Sequence, residues 1–282
     1  MQVGTYNLKT MEIGNPITIL SLEDMQRNKK FADKKKSDNE FKVYIRETYG
    51  NFYFLFYELL SFNIEKQYII RFLYLCSHMD YSNSLLFGNA KREDKYMLES
   101  DLQEVLNLSE RETRNTKNIL INKELIKIDS KNRLSVNEVY CLKGKIPINR
   151  KASRVRIFED GFKELYEKST PKEHKKLALL VQLLPHINLK FNIICEDSAC
   201  EDIDLVIPMD MKRICEVTEC DYNNSTRLKK ELLSLRVNRE LVVMYNETDI
   251  AKFITINPRV YYKGVEKLDV KGLENLFKVN KS

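Results

Sequence analysis

A chain of 282 residues is long enough for about two domains. Its 43% hydrophobic content supports a buried core, and 8 glycines and 6 prolines among 31% charged residues favour helices joined by short turns. With 47 Lys and Arg against 41 Asp and Glu, the net charge of +6 permits a polyanionic partner. No uncharged stretch approaches the ~18 residues of a membrane span, and no apolar leader opens the chain. A cytoplasmic, nucleoid-associated protein with reduced thiols and no membrane partner is expected.

In chain order, residues 1–40 have weak periodicity and a cluster of Arg27, Lys29, Lys30, Lys34, Lys35 and Lys36, and read as a flexible basic arm. Folded structure is expected from Phe41. The aromatic run Tyr49, Phe52, Tyr53, Phe54, Phe56 and Tyr57 reads as a helix, fitting either a homodimer surface or core packing against the next element. Apolar Tyr68, Ile69, Phe72, Leu73 and Cys76 predict an amphipathic helix over 64–76. A strand-like stretch at 84–87 follows, then a short helix over 101–106 started by Ser100. The turn Asn107-Leu108-Ser109 leads to a polar helix over 110–122. Two β-rich runs, 125–128 and 134–136, flank a polar tip from Asp129 to Arg133.

The same order then recurs. A helix is expected over 177–184, a strand over 191–195, an acidic loop over 196–204, and a short helix over 209–215 opened by Pro208. The turn Glu216-Val217-Thr218 precedes a polar helix over 222–235, and β runs at 241–244 and 253–256 close the unit. Direct matches support a duplication. Asn137, Lys143 and Gly144 of NEVYCLKG stand 120 residues before Asn257, Lys263 and Gly264 of NPRVYYKG. KELIKI at 123–128 matches RELVVM at 239–244, an offset of 116, and SDLQEVLNLS at 100–109 matches MDMKRICEVT at 209–218, an offset of 109. EKQYIIRFLYL at 65–75 resembles EHKKLALLVQLL at 173–184, and VYIRE at 43–47 faintly resembles VRIFE at 155–159.

Helix, short helix, turn, polar helix and β-hairpin is the winged-helix order. The expected fold is α+β, mostly helical, with two tandem winged helix-turn-helix domains at 41–148 and 149–268 and a tail at 269–282. In such modules the second, polar helix enters the major groove, and its outward side chains meet base edges and phosphates. The outward candidates are Arg111, Arg114, Asn115, Lys117 and Asn118 in the first copy. In the second they are Tyr222, Asn223, Asn224, Ser225, Arg227, Lys229 and Lys230. Lys131, Asn132 and Arg133 at the first wing tip suit phosphate contacts, whereas the second tip, Asn246-Glu247-Thr248-Asp249, is acidic, leaving Lys252 at its base.

Enzymatic and metal chemistry find little footing. The sequence lacks G-x-x-x-x-G-K-[ST], G-x-G-x-x-G and H-E-x-x-H, and His78, His174 and His186 stand apart from ligand-spaced partners. The C-x4-C pairs Cys195/Cys200 and Cys215/Cys220 superficially suggest zinc, but Cys215 falls on an apolar face. Asp94, Glu99 and Asp101 read as a helix-start cluster rather than a cation site. No cofactor and no enzyme activity are expected.

The closing run ITINPRVYYKG at 254–264 resembles the end of the winged-helix domain in the RepL type of initiator, a likeness covering about the last 100 residues. The tandem layout resembles, by architecture, the two-winged-helix initiators of theta-replicating plasmids in Gram-positive bacteria. That resemblance implies a plasmid or phage replication initiator that binds double-stranded DNA at origin repeats and recruits host replication proteins. A transcription regulator of a mobile element would use the same modules, and a protein-interaction scaffold would use neither DNA-reading helix.

Overall fold

The computed structural model describes residues 2–7, 12–18, 21–61, 63–87, 95–147, 149–150, 152–248, 251–264 and 266–279. They build an α+β fold, and they group into two compact units, Met1–Ile45 and Arg46–Ser282.

In the first unit β1 (Gln2–Asn7) pairs antiparallel with β2 (Glu12–Thr18), and α1 (Leu22–Tyr49) begins after them. The stretch expected to be a flexible arm is therefore a hairpin and the start of a 28-residue helix. The Ser21 Oγ accepts the Asp24 N–H at 3.0 Å, and the Asp24 carboxylate accepts the Ser21 hydroxyl at 2.9 Å, which caps the helix. Lys, Arg, Glu and Ala are good helix formers even where no apolar face is present. Apolar periodicity reports burial, and the exposed charged turns from Arg27 to Lys36 have none to report.

In the second unit the last turn of α1 is followed by β3 (Phe52–Phe56) and a 3-10 turn, Tyr57–Ser61. Next come α2 (Lys66–Cys76), α3 (Leu102–Leu106), α4 (Glu110–Asn122), the antiparallel hairpin of β4 (Ile126–Ile128) and β5 (Leu134–Val136), and β6 (Cys141–Leu142). The order resumes with β7 (Arg154–Phe158), α5 (Glu159–Glu167), α6 (His174–Leu183), α7 (Met211–Val217) and α8 (Ser225–Leu233). A small hairpin of β8 (Arg236–Val237) and β9 (Glu240–Leu241) precedes the longer one of β10 (Val243–Glu247) and β11 (Lys252–Ile256), and α9 (Lys267–Val279) is the last element among the described residues.

Equivalent hydrogen bonds fix how the copies correspond. Asn83 and Asn192, both left-handed at φ 61° and 53°, each donate a side-chain amide at 2.9 Å, to the Cys141 and Tyr261 carbonyls. The Leu85 and Ile194 amides reach the Leu134 and Ile254 carbonyls, so a third strand segment joins each hairpin. Asn107 and Glu219, left-handed at φ 50° and 55°, each donate an N–H to the carbonyl three residues back. These two stand 112 apart (219 less 107), not 109, so the expected turn Glu216-Val217-Thr218 is in fact Glu219-Cys220-Asp221. The offset of 109 was a slip of three residues, about one helical turn, which keeps Val105 and Leu106 over Ile214 and Cys215 and so preserves an apolar match. Likewise Ile126 and Val243, paired with Val136 and Ile256, are 117 apart rather than 116.

The expected helix caps also shift. Asp101, not Ser100, closes the start of the first short helix by accepting the Leu98 N–H at 2.7 Å. In the second copy Asp210 caps α7 by accepting the Arg213 N–H at 2.7 Å, leaving Pro208 outside the helix.

The aromatic run expected as a helix is the strand β3, with Tyr53, Leu55 and Phe56 buried. Alternation of period two places Tyr53 and Leu55 on one buried face, and Phe56 is buried at the end of the other. β3 lies between β6 and β7, all antiparallel. The Phe56 N–H donates to the Tyr140 carbonyl as that of Phe158 does to Val260, so these phenylalanines are equivalent, and with them Phe54 and Arg156. Phe54 faces Arg156 in the β3–β7 register. Equivalent residues meeting in an antiparallel pair place a local two-fold axis between the copies. The counterpart of 155–158 is thus 53–56, not the matched run at 43–47. Helices α2 and α6 pack against each other, the Tyr74 and Tyr166 rings stack at 3.8 Å, and one core runs through both copies. No break between compact units falls at 148–149.

Candidate nucleic-acid interface

The Ser109 side chain caps α4 by accepting the Glu112 N–H, and buried Thr116 and Leu120 anchor its inner face. At about 100° per residue, Arg111, Arg114, Asn115, Asn118 and Asn122 fall in one arc on the opposite side, and all five are exposed. In the second copy Leu228 and Leu232 anchor α8, 112 residues after Thr116 and Leu120. The outward stripe there is Asn223, Thr226, Arg227, Lys230 and Ser234, again exposed and again 112 residues on. The two stripes correspond position for position, and neither contains a carboxylate. Asn122, Thr226 and Ser234 are members that the sequence reading left out. The spacing i, i+3, i+4, i+7, i+11 from Arg111 or Asn223 would have found them.

Other predicted residues stand elsewhere. Lys117 and its counterpart Lys229 lie off the stripes and are half-buried. The Lys117 ammonium is paired with Glu99, and that of Lys229 sits 3.2 Å from the Tyr245 ring centroid. Both steady the helix that carries the stripe. Ser225 is half-buried, while Asn224 and Tyr222 are exposed at the turn leading into α8. Arg227 donates from Nε to Glu231 at 3.0 Å, a surface pair worth about 0.3–0.5 kcal/mol that leaves its terminal amino groups outward. Arg111 and Arg114 have no acidic partner among the described residues.

At the tip of the β4–β5 hairpin the Asp129 carboxylate accepts the Lys131 and Arg133 amides at 2.8 and 2.9 Å, which folds the tip and, through the Arg133 bond first, holds its carboxyl below the usual range. Lys131 and Asn132 project into solvent, but Arg133 is half-buried with its guanidinium 4.4 Å from the Tyr96 ring centroid. On the β10–β11 hairpin Lys252 is paired with Glu247 at 2.7 Å, and Asp249 lies outside the described residues. Asp94 also lies outside them. The remaining members of its acidic cluster are occupied, Glu99 by Lys117 and Asp101 by the Leu98 amide.

The base of α4 is tied to the second copy by a buried side chain. Arg71, 3% exposed, donates to the Thr116 hydroxyl at 2.9 Å, to Glu112 at 3.3 Å and to His174 Nδ1 at 3.4 Å. His174 stacks on Tyr166, and burial, then the Arg71 charge, lowers its pKa from 6.5 to about 4. A second tie is the ion pair of Lys143 and Glu159 at 2.6 Å, with both side chains almost fully buried. Among the described residues no helix is long and apolar enough to cross a membrane, and no group of three or more His, Cys, Asp or Glu is placed to hold a metal ion. Comparison with family models, with curated proteins and with solved structures finds no match to this chain.

Proposed function

We propose that the chain is a sequence-specific double-stranded DNA-binding protein made of two winged helix-turn-helix modules, acting as a plasmid or phage replication initiator at origin repeats. The observation that carries the reading is the pair of corresponding carboxylate-free stripes on α4 and α8. A solvated helix face chosen only for solubility mixes both signs of charge, whereas these offer Arg, Lys, Asn, Thr and Ser, the donors and acceptors that fit base edges. Each stripe sits on the second helix of a helix–turn–helix backed by a hairpin, the geometry that delivers such a face to a major groove. The initiator role rests on the resemblance of 254–264 to RepL-type initiators, with host replication proteins as further partners.

The test is selection from random duplex DNA at two salt concentrations, for wild type, Arg114→Ala and Arg227→Ala. An enriched motif, a steep salt dependence and a loss of roughly 10- to 100-fold in each variant support the reading. No enrichment and no salt-dependent affinity would overturn it. Recurrence of the motif as several copies beside an AT-rich stretch selects initiation, and a single copy over a promoter selects transcription control.

A further inference from the structure

The two modules differ in how they could hold a DNA backbone. The first has Lys131 and Asn132 exposed at its wing tip, while the cation at the base of the second wing is already paired with Glu247. Beside α8, however, lies a cleft of about 410 Å³. Lys172, Lys175 and Lys176 line it from the start of α6, Lys66 from α2, and Asn224 and Arg227 from the stripe side. Of the acidic residues lining it, Asp221 accepts the Asn223 amide at 2.9 Å and Glu231 holds Arg227, while at its edge Glu173 pairs with Lys176 and Glu219 with Lys66, each at 3.6 Å. Lys66 bridges the Thr218 carbonyl at 2.7 Å and so fixes the turn before α8, whereas Lys172 and Lys175 are exposed.

The first copy has no such cleft chemistry. Glu65 and Glu173 precede α2 and α6, and the His78 and His186 carbonyls accept the equivalent Leu86 and Cys195 amides, so this part of the copies is offset by 108. The counterparts of Lys172, Lys175 and Lys176 are then Ile64, Gln67 and Tyr68, none of them a cation. We infer that the second module takes its phosphate contacts from this lysine cleft in place of its wing, so that the strand flanking the groove read by α8 passes over the exposed Lys172 and Lys175, with Lys176 shared between that strand and Glu173. The inference rests on the DNA-binding reading above.

Lysines on phosphates add affinity without sequence information, and each such contact steepens the log–log salt dependence by about 0.9. The full-length triple variant Lys172→Gln/Lys175→Gln/Lys176→Gln is therefore expected to select the same motif as wild type with a slope shallower by about 2–3. The double variant Lys172→Gln/Lys175→Gln, confined to exposed side chains, is expected to lose about 2 of that slope. Both are compared with wild type by thermal melting to hold the fold constant. A wild type that binds steeply with variants that keep its slope overturns the cleft assignment alone. A wild type with no salt-dependent affinity overturns the DNA-binding reading and the cleft with it.

Discussion

Arg71 and His174 show how a few buried polar atoms tie the two copies together. Arg71 has its Nε on a histidine nitrogen that must be unprotonated to accept, and its amino groups on two residues of α4. Arg71→Met removes three hydrogen bonds from the interior, and a loss of about 2–4 kcal/mol is expected in the urea unfolding free energy. The histidines add a pH dependence whose direction is fixed. His174 and His78 are held near 4, chiefly by burial, against 6.5 when exposed. A depressed histidine leaves the unfolded chain to bind protons first, so stability is level above about pH 6.5 and falls as pH drops toward 4. Urea midpoints at pH 7.5, 6 and 5 are expected to decline in that order. In His174→Gln the decline becomes shallower, and an unchanged slope would show that this ring does not carry its share. None of this was legible in the sequence, because the lone histidines offered no pattern and Arg71, which faces His174, lies 103 positions away.

Among the elements, the polar helices and the first hairpin were the most legible. The bounds expected for α4 are those found, and the β4–β5 hairpin differs by one residue. Capping residues and period-three-to-four burial are local signals, carried within a dozen residues. The register between copies was less legible, since an amphipathic pattern nearly repeats after one turn and tolerates a slip of three. Least legible was β3, whose rings look alike on a helix or a strand until the partners β6 and β7 are in place. From 97 to 122 the copies correspond without a gap at an offset of 112, and the step from 112 to 117 that follows falls at the β8–β9 hairpin of the second copy. Its turn, Asn238-Arg239, has both residues left-handed, at φ 49° and 61°. Arg239→Gly removes the side-chain cost of that conformation at an exposed position, and a gain of about 0.5–1 kcal/mol in unfolding free energy is expected. A loss of stability there would show that the arginine makes contacts worth more than the strain.

Taken whole, the molecule has its two stripes related by the local axis through Phe54 and Arg156. If α4 and α8 read DNA as proposed, helices arranged this way would meet it as an inverted pair of half-sites. Because Arg111 and Arg114 face Asn223 and Thr226 as counterparts, the halves need not be the same sequence. The motif recovered by selection is thus expected to be an imperfect inverted repeat. Arg114→Ala relaxes one half and Arg227→Ala the other, and a variant that relaxes both halves equally would contradict the assignment. The shared sheet has a second consequence. A fragment of residues 149–282 retains every element of the second copy but strips β7 of its neighbour β3, exposing a strand edge and the rings packed beneath it. Such a fragment is expected to be unfolded by circular dichroism and rapidly cleaved by trypsin, while the full chain melts in one transition.

That β3–β7 pair is also how two identical chains would meet about a symmetry axis if each carried a single module. Placed in one polypeptide, the halves no longer depend on protein concentration to find each other, since each is held at a fixed local concentration by the chain itself. Symmetry ceases to be enforced as well. A change in one half of a true dimer appears in both, but here Lys175 can arise opposite Gln67, or an acidic wing opposite a basic one, without its twin. On the proposed reading, the covalent link would turn a recogniser confined to palindromes into one that can assign separate tasks, base reading and backbone grip, to its two sides.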